Sequence, residues 1–70
     1  MNKVFGYYNN LLTGLFHVYR VENGYNKTIV RMTTKEEAKS LKEGLERQAK
    51  LHPELSDAEL VDAYFKSLVF

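Results

Sequence analysis

Cysteine and tryptophan are absent from the 70-residue chain, and proline occurs once. The missing cysteines exclude disulfides, thiol nucleophiles and thiolate metal sites together, so packing alone must hold the fold, in keeping with a reducing compartment. Apolar runs extend over only a few residues, too short to cross a bilayer, and the N-terminal stretch lacks the basic region and long apolar core of a secretory signal. A soluble cytoplasmic protein with no membrane partner is expected. One domain, residues 1–70, is all that this length supports, with a core too small for a deep, water-excluding active site.

The net charge of +1 conceals an uneven distribution. Up to Thr34, four cations (Lys3, Arg20, Lys27, Arg31) face one anion, Glu22; from Lys35 onward, six basic residues face eight acidic ones. The first half is basic and rich in β-favouring residues, a modest tilt toward an anionic partner.

Val4 to Asn9 carries Val, Phe and two Tyr around Gly6 and reads as a first strand, with Gly6 marking a bulge, a close backbone approach or a tolerated glycine. Leu11 and Leu12 follow in a turn-rich segment, either folded under the sheet or exposed. Leu15 to Val21 and Lys27 to Met32 are stronger strands, joined at Asn23-Gly24, a pair suited to the positive φ angles of a tight hairpin.

Two registers are open. A two-residue turn pairs Val21 with Asn26 and Tyr19 with Thr28, placing Leu15, His17, Tyr19, Val21, Thr28, Val30 and Met32 on one face and Phe16, Val18, Arg20, Lys27, Ile29 and Arg31 on the other. A three-residue turn with a bulge slips the pairing by one. Phe16, Val18, Thr28, Val30 and Met32 then face inward, with His17, Tyr19, Val21, Lys27, Ile29 and Arg31 outward. Either way Val30 and Met32 oppose Lys27, Ile29 and Arg31. With helices on one side of the sheet only, the face bearing Lys27, Ile29 and Arg31 is open to a partner, together with Arg20, Tyr19, His17 or Phe16 according to register.

Thr34-Lys35-Glu36-Glu37 has the spacing of a capping box and starts a helix at Lys35, with Ala38, Leu41, Leu45 and Ala49 as its apolar stripe and Gly44 beside it. Glu43 with Arg47, and Glu46 with Lys50, are spaced as ion pairs. Pro53 stops this helix at or just before His52. Ser56 and Glu59 form a second capping box, and Leu55 and Leu60 a hydrophobic staple, opening a helix from Asp57 whose core face reads Val61, Tyr64, Phe65 and Leu68. Phe70 is expected to pack or fray. The expected fold is α+β: a three-stranded antiparallel sheet, then two helices on one face (β-β-β-α-α).

Catalytic and metal motifs are missing. His17 and His52 have no ligand-spaced companion, the helix glutamates suit a solvated face, Ser56 is a cap, and the glycines form no phosphate-cradling loop. No catalytic residue, metal or cofactor is expected.

The order of three strands followed closely by TTKEEAKSLKEGL resembles AP2-type and integrase arm-type DNA-binding domains over Val4 to Ala49. Thr34, Glu37 and Ala38 match the helix opening, and Gly24 matches the hairpin turn. The resemblance implies that Arg20, Lys27, Arg31 and either His17 with Tyr19 or Phe16 project from the sheet toward duplex DNA. Four cations are few for phosphate neutralisation, which shifts the expectation toward a non-catalytic protein-binding module. A chain of this size suits a phage or mobile-element accessory protein, of the anti-CRISPR kind, that blocks or recruits a host defence or nucleic-acid-handling enzyme. Direct DNA binding and a homodimer through the sheet edge are the alternatives.

Overall fold

In the computed structural model, which describes residues 3–68, three strands and two helices follow in the expected order: β1 (Phe5–Asn10), β2 (Leu15–Glu22), β3 (Tyr25–Met32), α1 (Lys35–Leu51) and α2 (Asp57–Ser67). Phe70 lies outside the described residues. The sheet is an antiparallel meander in the order β1-β2-β3. Both helices cover one of its faces, giving a two-layer slab of 33 × 33 × 15 Å.

Both turns follow from local chemistry. Asn23 and Gly24 adopt φ of 50° and 82°, the left-handed pair that lets a two-residue hairpin match the twist of its strands. Between β1 and β2 the Asn10 side chain accepts from the Leu12 and Thr13 amides, and Gly14, at φ 73°, donates back to the Asn10 carbonyl. With the backbone thus satisfied, Leu11 and Leu12 stand in solvent, 88% and 97% exposed.

The β2–β3 ladder combines the two expected registers. Near the turn Val21 pairs with Asn26, Arg20 with Lys27 and Tyr19 with Thr28; farther on Val18 pairs with Val30, His17 with Arg31 and Phe16 with Met32. The one-residue shift falls between Val18 and Tyr19, so Ile29 is the extra residue of a β-bulge. Neither register runs the full length of the hairpin. Lys27 therefore shares the helix side with Arg20, whereas Thr28 and Arg31 lie on the opposite face with Tyr19 and His17.

The core is Phe5, Val18, Ala38, Leu41, Leu45, Ala49, Leu60 and Tyr64, flanked by Phe16, Val30 and Met32 among others. All four expected α1 residues are in it. α2 is rotated from the expected orientation: Leu60 and Tyr64, one turn apart, are buried, Val61 is half-buried, and Phe65 and Leu68 are exposed. A helix this short, packed chiefly on another helix, buries a narrow i, i+4 stripe rather than a broad face. On α1, Glu46 pairs with Lys42 at 3.3 Å instead of with Lys50.

Gly44 explains how α2 approaches so closely. A Cβ there would overlap the Tyr64 ring, which lies directly on the α1 backbone. Alanine at this site gains about 1 kcal/mol of helix propensity, but overpacking a rigid ring costs about 1–3 kcal/mol. Because the overlap involves ring atoms and not the end of a flexible chain, overpacking wins. Gly44→Ala is expected to lower the midpoint of chemical denaturation, and Gly44→Val to lower it further.

The caps form with one variation. Thr34 Oγ1 accepts from the Glu37 amide, but the Glu37 carboxylate turns to the hydroxyls of Thr34 and Thr33, each at 2.9 Å. At α2 the reciprocal box is complete: Ser56 Oγ accepts from the Glu59 amide, and the Ser56 amide donates to Glu59 Oε1. The Thr34 hydroxyl above all lowers the Glu37 pKa, and the Ser56 amide above all lowers that of Glu59. Each cap therefore contributes stability that is present above the ordinary carboxylate value and lost as pH falls through the depressed one. Thermal denaturation in acid should show this decline, and Glu59→Gln should flatten part of it at the expense of stability at neutral pH.

Candidate binding surface

Strand pairing separates the sheet into two surfaces with different chemistry. On the helix side, Arg20 Nε donates to Asp57 Oδ1 at 2.6 Å and its Nη2 lies 3.2 Å from Glu22; Lys27 Nζ lies 3.8 Å from Asp57 and 3.9 Å from Glu22. Arg20 and Asp57 are both more than four-fifths buried, and the hydrogen bond to Asp57 outweighs burial in raising the Arg20 pKa. This cluster ties the first turn of α2 to the sheet. Its two cations are matched by two anions.

The opposite face carries Tyr8, His17, Tyr19, Thr28 and Arg31. His17 is only 5% exposed although no helix covers it. The cover comes from its neighbours: its Nδ1 lies 3.4 Å from the Tyr8 hydroxyl and 3.5 Å from that of Thr28, and its Nε2 lies 3.3 Å from that of Thr13. The Tyr8 ring centroid is 5.3 Å from that of His17 and 5.9 Å from that of Tyr19. Tyr19 in turn lies over Gly6, its cross-strand partner, where a Cβ would strike its phenol. Gly6 thus serves the close approach of a side chain, in a regular ladder without a bulge.

Of the residues expected to meet a partner, His17, Tyr19 and Arg31 lie on this open face. Phe16, Arg20, Lys27 and Ile29 do not: Phe16 and Ile29 pack against the core, and Arg20 and Lys27 join Asp57. On β3 the bulge is the physical reason, because it sends Lys27 and Arg31 to opposite faces; on β2 regular alternation turns Phe16 and Arg20 to the same side as the buried Val18. Tyr8, Thr13 and Thr28 were not expected here. The pairing of β1 with β2 brings Tyr8 to His17, and no local pattern in β1 encodes it.

Chemically the face can stack, hydrogen-bond through hydroxyls and offer one guanidinium. Among the described residues, no group of three or more His, Asp or Glu side chains is placed to hold a metal, and no helix is long and apolar enough to cross a membrane. No protein-family model, curated protein or solved structure matches this chain.

The ion cluster gives a direct test. Arg20→Met leaves a largely buried carboxylate with Lys27, at 3.8 Å and outside hydrogen-bond reach, as its remaining counter-charge, and losing a hydrogen bond to a charged group costs about 1.5–3 kcal/mol. Denaturant titration should show that loss. Moderate salt should change it little, since the pair is shielded from solvent.

Proposed function

We propose that this chain is a non-catalytic protein-binding module whose open sheet face docks on a larger protein, as an accessory factor that blocks or recruits it. The observation that carries the reading is the composition of that face: the Tyr8–Tyr19 pair with Tyr8 packed on the buried His17, hydroxyl groups, and Arg31 as its single formally charged strand residue. Tyrosine and arginine are the residues that dominate protein interfaces, because each joins a large contact area to a polar tip. A phage or mobile-element inhibitor of a host defence or nucleic-acid-handling enzyme fits this description.

Reading duplex DNA from the sheet, in the manner of AP2-type and integrase arm-type domains, has weaker support. Affinity for DNA depends on cations free to neutralise phosphate. Arg20 and Lys27 are engaged on the helix side instead.

The test is capture of a partner from the source cell with tagged wild-type protein, alongside Arg31→Glu and Val21→Asp, both on the open face. Loss of one specific partner in both variants, with unchanged circular dichroism, is the expected result. A salt-sensitive mobility shift with duplex DNA, abolished by Arg31→Glu, would transfer the assignment to nucleic acid.

A further inference from the structure

The two edges of the sheet are built differently. β3 carries Lys27 and Arg31 and is interrupted by the bulge at Ile29. Charges and bulges are devices by which proteins discourage strand addition at an edge. β1 has neither: Phe5–Asn10 contains no charged residue and no proline, and pairs with β2 without a register shift. As the first strand in the order β1-β2-β3, it has a sheet neighbour on one side only among the described residues. α1 packs over the inner side of Phe5, but a helix above a face leaves the edge beside it open. Tyr8 and Asn9, in the middle of the strand, are exposed.

We propose that β1 is a self-association edge, with two copies of the chain pairing β1 against β1 in antiparallel fashion to join their sheets into one of six strands. Charge selects this pairing over the others. Two β3 edges would gather four cations at one seam, Lys27 of each copy on one face and Arg31 of each on the other, whereas two β1 edges bring none. Pairing β1 with β3 is heterologous and open-ended; β1 with β1 closes on a two-fold axis. With that axis normal to the sheet, antiparallel pairing keeps the helices of both copies on one side. The Tyr8 and Tyr19 clusters then share the other, forming one continuous surface. The inference stands independently of the reading of the open face, whose partner can meet one copy or two.

Light scattering across a concentration series should give a mass approaching twice 8.2 kDa. Asn9→Lys and, separately, Tyr8→Lys should return it to the monomer, raising the dissociation constant about tenfold or more, with far-ultraviolet circular dichroism unchanged. Tyr25→Lys, on the β3 edge, should leave the mass of the dimer as it is. Amide exchange supplies a readout that needs no substitution: the β1 amides pointing away from β2 should exchange more slowly as concentration rises. A mass of 8.2 kDa at every concentration, with those amides unprotected, overturns the proposal and leaves the edge to a foreign strand. A dimer that survives both β1 substitutions, or that Tyr25→Lys dissociates, overturns it equally.

Discussion

The alternation of side chains along β3 is broken once, at Ile29, and much of the molecule's chemistry follows from that break. Before it, Lys27 stands with Arg20 on the helix side; after it, Val30 and Met32 resume the inward rhythm with Val18 and Phe16. A regular strand could not send Lys27, Val30 and Met32 to the same side. The bulge lets one short strand supply both an apolar contribution to the core and a cation near the start of α2.

That cation belongs to a small electrostatic system whose centre is Asp57. This residue opens α2, where a carboxylate is favoured by the helix dipole, and it also receives Arg20 from the middle strand. Ser56 and Glu59 fix the same turn from the other side. The second helix is therefore located at its start by polar contacts and along its length by Leu60 and by Tyr64 seated on Gly44. Directional bonds set the position of one end, and close packing sets the separation from α1. Neither feature alone would orient an eleven-residue helix.

What could be read from residues alone divides along the line between local and non-local physics. The Thr34 and Ser56 caps, the Asn23-Gly24 turn and the Ala38, Leu41, Leu45, Ala49 stripe depend on neighbours within a few positions, and all were legible. The bulge was not, since either register of β2 on β3 satisfies the local pattern, and the residues that distinguish them, Val30 and Met32 against the core and Lys27 beside Asp57, meet partners remote in sequence. The rotation of α2 was hidden for a similar reason: Leu60 reads as a staple and Phe65 as core until α1 fixes which side is inward. Three of the seven residues expected to face a partner do so, and the four that turn inward lie on the two strands whose relative register changes. The Tyr8–His17–Thr28 grouping is assembled from three strands and has no signature in any one of them.

The arrangement of tyrosines around the two glycines also divides the molecule optically. Tyr64 lies against the α1 backbone at Gly44, inside the helix pair, while on the sheet surface Tyr8 packs on His17 and Tyr19 lies over Gly6. With no tryptophan to overwhelm them, these phenols dominate the near-ultraviolet spectrum. Tyr64 reports the packing of the interior, and Tyr8 and Tyr19 report the surroundings of the open face.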